Sequence, residues 1–356
     1  MTKFIPGKKL SELYFKKAVK PILDENFPML KYAAALIGHG SDVLGYDTKR
    51  SMDHDWGPRV LLFLSKKDYK SKISDALSRK LPYSFMGFST NFGAPDEKGV
   101  RVVGGKHEGW VNHKIEIYTV DDYFKSYLNF DIRKKITPFD WLVFSEQKLL
   151  TIESGKVFHD GIGLNKIIKQ FNYYPKDVWY YLLASQWVRI SQEEHFMGRC
   201  GELKDEIGSK IIATRLVKDV MRLCFLMEKK YAPYIKWFGT AFNELKCSKY
   251  LLPRMKKVLQ LNSWRAREKY LCEIYEYIAK MHSKLEITSP LDTKVSHFFD
   301  RPFYVIRAGR FAEAILEKIK DKKIKSIKLN IGSVNQFVDS TDLLENDASV
   351  LKGVYE

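Results

Sequence analysis

The chain has 356 residues, 45% of them hydrophobic and 14% aromatic, enough for two or three domains with a sizeable core, which excludes a disordered polymer. Its formal charge of +17 points to anionic partners such as nucleoside triphosphates, RNA, DNA or acidic membrane surfaces. Cys200, Cys224, Cys247 and Cys272 form no C-x-x-C pair, and no stretch reaches the roughly eighteen uncharged apolar residues of a membrane span, so a zinc ribbon, a dithiol motif and a spanning helix are all excluded. With no apolar signal core in "MTKFIPGKKLSELYFKK", a cytoplasmic protein with reduced thiols is expected.

In chain order the pattern predicts three regions, together an α+β protein. Residues 1–155 mix helix and strand: an amphipathic helix "KLSELYFKKAVKPILDENF", a strand "YAAALIG", a strand around "DWGPRVLLFL" and an alternating strand "HKIEIYTV". Between them "STNFGAPDEKGVRVVGGKHEG" carries turn residues at close intervals and reads as loops and short hairpins. Thr119 followed by Asp122 has the form of a cap opening the helix "DYFKSYL". Residues 156–287 are mostly helical, with long 3.6-period segments such as "VWYYLLASQWVRISQEEHF" that imply a bundle. Residues 288–356 form a short C-terminal α/β segment expected to pack on the other two regions.

The stretch "IGHGSDVLGYDTKRSMDHDWGP" carries the chemistry. On a strand, residues i and i+2 share a face, so Asp53 and Asp55 are expected side by side, with His54 and Trp56 facing the other way. Two adjacent carboxylates repel one another unless a cation lies between them, and a pair of hard oxygen ligands is what magnesium uses when it also holds a nucleotide's phosphates. The turn Gly38-His39-Gly40-Ser41 supplies the complement: glycines let backbone N–H groups approach phosphate, and the serine adds a hydroxyl. Each signal alone is ordinary turn or capping chemistry; their joint occurrence between two apolar strands is specific.

The spacing of Ile37, Gly40, Ser41, Asp53 and Asp55 resembles the signature of the DNA polymerase β-like nucleotidyltransferases, although His39 separates the two glycines. The strings "GSDVLGYDTKRSMDHDWGP", "YAPYIKWFGTAF", "RPFYVIRAGRF" and "GSVNQFVDSTDLL" look like a bacterial domain-of-unknown-function family grouped with those enzymes. The wider architecture is similar to aminoglycoside nucleotidyltransferases. The resemblance implies a nucleotidyltransferase core with a mixed sheet, a helical partner domain, two magnesium ions held by three carboxylates, and Gly40 and Ser41 on the outer phosphates. It asks for a third carboxylate on a later strand. Glu116, between Ile115 and Ile117 and on one face with Lys114 and Tyr118, is the best candidate.

The bundle offers further candidates. Arg215, Lys218 and Arg222 fall on one helical stripe that would grip phosphate, and Tyr234, Lys236 and Trp237 would stack on a base or pair with phosphate. Glu194, in "SQEEHF", is the candidate base for an acceptor hydroxyl. These residues describe transfer of a nucleoside monophosphate from a triphosphate to a hydroxyl, with a small-molecule acceptor favoured over RNA. A tRNA-end nucleotidyltransferase suits the charge, and a catalytically silent nucleotide-binding protein is the third reading.

Overall fold

The structure is a computed structural model that describes residues 3–53, 55–97, 101–104 and 109–356, with the side chain of Asp53 outside that set. The chain divides into two compact units, residues 1–135 with 148–172 and residues 136–147 with 173–356.

The first unit opens with α1 (Gly7–Tyr14), a π turn (Phe15–Val19) and α2 (Lys20–Asn26), in line with the single amphipathic helix expected. A π turn holds one residue more than an α turn, and here it keeps Tyr14, Phe15, Val19, Ile22 and Leu23 all buried although their spacing drifts from 3.6. β1 (Tyr32–Leu36) follows, then α3 (Ser41–Leu44), a 3-10 turn (Lys49–Asp53) and β2 (Arg59–Leu64). After α4 (Lys70–Lys80) and a hairpin of β3 (Ser84–Phe85) and β4 (Phe88–Ser89), β5 (Lys114–Thr119) returns to the sheet and runs into α5 (Val120–Leu128). The oxygen of Thr119 accepts the N–H of Asp122, the cap expected from sequence.

The chain then forms α6 (Pro138–Val143) and α7 (Glu146–Glu153) before β6 (Lys156–Asp160) and α8 (Leu164–Ile168). The mixed sheet has the order β5-β2-β1-β6, with β1 antiparallel to β2 and β6, and β2 parallel to β5. One face carries Ala34, Val60, Leu62, Ile115 and Ile117 into a core shared with Ile73 and Leu77 of α4. The other face is covered in part by α5, whose Tyr123 ring meets Phe63 edge-on at 5.2 Å. β6 corrects the boundary expected at 155: residues 156–160 are the fourth strand, so the sheet unit extends to 172 rather than ending where helical periodicity begins.

The second unit is helical. α9 (Lys176–Glu193), α10 (Phe196–Glu202), α11 (Glu206–Met227), α12 (Ile235–Phe242), α13 (Ser248–Gln260) and α14 (Trp264–Lys284) are followed by a two-stranded ribbon, β7 (Ser296–His297) with β8 (Tyr304–Val305), and by α15 (Gly309–Leu316). α9 is buried along most of its length because α11 and α15 pack on it, with Trp187 stacked on Phe311 at 4.4 Å. The C-terminal residues 288–356, expected as a separate segment, belong to this unit: Gln336 donates to the carbonyl of Leu182 and to the side chain of Gln186, both on α9. Among the described residues no helix is long and apolar enough to cross a membrane.

Candidate functional site

Strand direction assembles the candidate site in the first unit. β1 runs antiparallel to β2, with Ala35 opposite Leu61, so the C-terminal end of β1 lies beside the N-terminal end of β2. β5 runs parallel to β2, with Arg59 opposite Lys114 and Leu61 opposite Glu116, so its N-terminal end lies there too. The turn after β1 (residues 38–41), the segment before β2 (residues 55–58) and the acidic strand β5 therefore meet at one end of the sheet.

Asp53 and Asp55 do not stand on a strand as the spacing suggested. β2 begins only at Arg59, Asp53 ends a 3-10 turn, and Asp55 has a left-handed backbone at φ +50°, so the period-two argument for a shared face does not apply. Gly57, at φ +140°, and Pro58 intervene, and a proline before an apolar run marks where a strand starts. Asp55 is fixed by its partners instead. Its N–H donates to the Arg101 carbonyl at 3.0 Å, and its Oδ1 accepts the Arg101 N–H at 3.2 Å and the ammonium of Lys114. His54 and the side chain of Asp53 lie outside the described residues.

Glu116 behaves as the alternation of β5 predicts. Ile115 and Ile117 are buried in the core while Glu116 is exposed, and its Oε2 accepts the Tyr118 hydroxyl at 2.7 Å. Burial, reinforced by the Glu116 charge, holds the Tyr118 hydroxyl well above its ordinary range. Burial lowers the pKa values of Lys114, Arg101 and His39, and in each the charges of Asp55 and Glu116 pull the other way. These shared cationic neighbours place the two carboxylates in one electrostatic cluster. Asp55 and Glu116 offer hard oxygen donors, and magnesium needs only one or two protein carboxylates when a substrate's phosphates complete its shell, so the donor set suits that ion. Among the described residues no group of three His, Cys, Asp or Glu is arranged around a common metal position.

The turn itself is held by a pair that sequence reasoning passed over. Asp42 is 2% exposed, and both its oxygens meet the buried Arg59: Nε donates to Oδ2 at 3.0 Å and Nη2 to Oδ1 at 2.6 Å. The same Nη2 donates to the His39 carbonyl at 2.7 Å. Gly40 sits against this fork at φ +129°, where a Cβ would lie 2.2 Å from Asp42 Oδ1 and 2.3 Å from Arg59 Nη2. Asp47 accepts the Gly7 N–H at 2.7 Å and the Trp56 indole N–H at 2.9 Å, so it ties the start of α1 to the segment before β2. The signal for Arg59 was a lone cation heading the apolar run "RVLLFL".

In the second unit the cations of the expected phosphate stripe are already paired. Arg222 is buried and paired with the buried carboxylate of Glu146; along the same stripe the half-buried Lys218 pairs with Asp339 at 2.6 Å and the exposed Arg215 donates from Nε to Glu193 at 2.9 Å. The stripe is a ladder of ion pairs within its own unit rather than a row of uncommitted cations. Tyr234 precedes α12 and donates its N–H to the Gln147 side chain at 3.0 Å, while the Lys236 ammonium lies over the Trp237 ring at 5.3 Å. Glu194 is corrected most clearly. Its Oε2 accepts the N–H groups of Ile306 and Arg307, and its Oε1 that of Ala308, at 2.7–3.1 Å. A carboxylate bound by three consecutive backbone donors is a clasp for the turn into α15, not a base open to an acceptor. Burial outweighs those three donors and pushes its carboxyl up to about 7.

A family model described as a domain of unknown function (DUF4037) matches residues 141–238. That stretch contains Glu194, Lys218, Arg222, Tyr234 and Lys236 but none of Gly40, Ser41, Asp53, Asp55 or Glu116. Among solved structures, a nucleotidyltransferase-like protein from Exiguobacterium sibiricum is similar at 9% identity and a TM-score of 0.30, over 82% of this chain and 97% of its own. No curated protein matches the chain.

Proposed function

We propose that this chain is a magnesium-dependent nucleotidyltransferase that moves a nucleoside monophosphate from a triphosphate to a hydroxyl of a small-molecule acceptor. The observation that carries the reading is the meeting of Gly40, Ser41, Asp55 and Glu116 at one end of a sheet whose strand directions bring three separate chain segments together. Asp53, Asp55 and Glu116 would hold two magnesium ions, which supply charge neutralisation and Lewis acidity at the phosphates. The N–H groups and hydroxyl of Gly40 and Ser41 bind the outer phosphates, and Gly38 and Gly40, both at positive φ, let the backbone come close. The acceptor oxygen attacks the α-phosphorus in line and gives its proton to a carboxylate of the site. A new P–O bond forms as the bond to pyrophosphate breaks.

Lys218 and Arg222 are no part of this proposal, because Asp339 and Glu146 already pair with them; Tyr234 and Lys236 carry no step in it. The test is calorimetric binding of each ribonucleoside triphosphate, with and without magnesium, to wild type and to the Asp53→Asn, Asp55→Asn double variant. The expected result is magnesium-dependent binding that the double variant loses while the chain stays folded, with a lowered Tm because the Lys114 ammonium loses its Asp55 partner. Equal binding by the double variant, or none by wild type, overturns it.

A further inference from the structure

We propose that Arg59 is the positioning residue of the nucleotide turn: its guanidinium ties the His39 carbonyl and the Asp42 carboxylate to the first residue of the strand beside the catalytic carboxylates. The inference rests on the nucleotide-site reading above. It starts from an oddity of composition, a charged pair taken almost wholly out of water at the head of an all-apolar strand. Burying two ions costs several kcal/mol each unless their bonding is complete, so such a pair calls for a reason beyond packing.

The bonding is complete in a directional way. Three of the Arg59 hydrogen bonds land on residues 39 and 42, the two residues that flank Gly40 and Ser41. The turn is closed again from within, since Asp42 Oδ1 also accepts the Val43 N–H at 3.0 Å and the Ser41 carbonyl accepts the Tyr46 N–H at 2.9 Å. At its other end Arg59 is opposite Lys114 in the parallel ladder, and Lys114 holds Asp55. Burial works against the Arg59 charge, but Asp42, Glu116 and Asp55 outweigh it and keep the guanidinium firmly ionised. One fixed cation thus sets the turn relative to both described carboxylates. A lysine keeps the charge and has no planar fork with which to reach Asp42 twice and His39 once. The bare Cβ position of Gly40 belongs to the same device, because any side chain there would strike the fork.

The experiment compares Arg59→Lys and Asp42→Asn with Leu77→Ala, a variant in the apolar core of the same unit. Two quantities are measured on the full chain: the Kd for magnesium–ATP, with the other three ribonucleoside triphosphates in parallel, and amide hydrogen exchange across residues 38–46. Arg59→Lys and Asp42→Asn are expected to weaken triphosphate binding at least tenfold and to speed exchange at 38–46, whereas Leu77→Ala lowers Tm and leaves the Kd unchanged. Wild-type Kd and wild-type exchange in both fork variants overturn the role of Arg59 even if wild type binds nucleotide well. If wild type binds no triphosphate, the nucleotide reading fails by itself, and exchange at 38–46 still decides whether Arg59 positions the turn. Should Arg59→Lys fail to fold, Asp42→Asn, nearly isosteric, carries both measurements.

Discussion

Glu116 and Glu194 are the same residue type, both singled out for proton or metal chemistry, and the molecule treats them in opposite ways. Glu116 stands exposed on β5 with a tyrosine hydroxyl on one oxygen and shares its cationic neighbours with Asp55. Glu194 is 6% exposed, and three backbone N–H groups from residues 306–308 take up both its oxygens. A carboxylate becomes available for chemistry when it keeps oxygen valence and access. It becomes structural when local backbone donors consume both, whatever its neighbours in sequence.

That contrast can be broken or sharpened by substitution. The largest expected effect is on turnover: Glu116→Gln should lower nucleotidyl transfer by at least about a hundredfold, some 3 kcal/mol of lost transition-state stabilisation, while thermal unfolding shifts by no more than about 0.5 kcal/mol. Full activity in that variant removes Glu116 from the site. Glu194→Ala should do the reverse. Three backbone donors are left in apolar surroundings, so unfolding of the helical unit should become easier by about 3 kcal/mol in a denaturant melt, with triphosphate affinity unaltered.

A third measurement uses pH. The Glu194 carboxyl is raised to about 7 in the folded protein from an ordinary 4.5, so between those values the folded state holds a proton that the unfolded state has released. The stabilisation is complete below about pH 4.5 and is lost as pH climbs through 7. Between pH 5 and pH 8 the wild type should lose about 2 kcal/mol more stability than Glu194→Gln, a comparison in which the other titrating groups cancel. A wild type that gains relative to the variant over that window would reverse the sign and place the carboxyl below its ordinary value. The smallest effect belongs to Tyr123→Phe. Among the described residues its buried hydroxyl has no hydrogen-bond partner, so removal should be neutral or stabilising by about 1 kcal/mol.

The sequence made much of this fold legible where one short-range rule was enough. Apolar runs and period-two alternation located β1, β2 and β5, and a Thr-x-x-Asp spacing located the start of α5. The exposed face of Glu116 followed from alternation, while its choice as a site residue came from the third carboxylate that the resemblance asks for. What failed depended on partners distant in the chain. β6 is five residues long and only half buried, an edge strand whose own pattern is too brief to announce itself, and it became visible only through its pairing with β1. Asp55 stands off the strand that spacing alone implies, because Gly57-Pro58 ends the preceding loop and delays β2 to Arg59. Arg222 and Lys218 read as uncommitted cations because Glu146 and Asp339 lie far from them along the chain. The role of Glu194 depends on main-chain donors more than a hundred residues away, and main-chain donors leave no mark in a side-chain pattern.

The order of strands also bears on how the molecule is made. β1 and β2 are neighbours in sequence, but β5 joins them only after the chain from Leu64 to Lys114 has been traversed, and β6 closes the other edge later still, after residues 136–147 have gone to the helical unit. A nascent chain leaving the ribosome therefore exports the turn and Asp55 long before Glu116, and it must wait for residue 160 before β1 is covered on both sides. Long-range parallel pairing is slow to form, which makes assembly of the acidic cluster a late event in biogenesis. A chain terminated at 155 would present β1 as an unprotected sticky edge, prone to pair with another copy during synthesis.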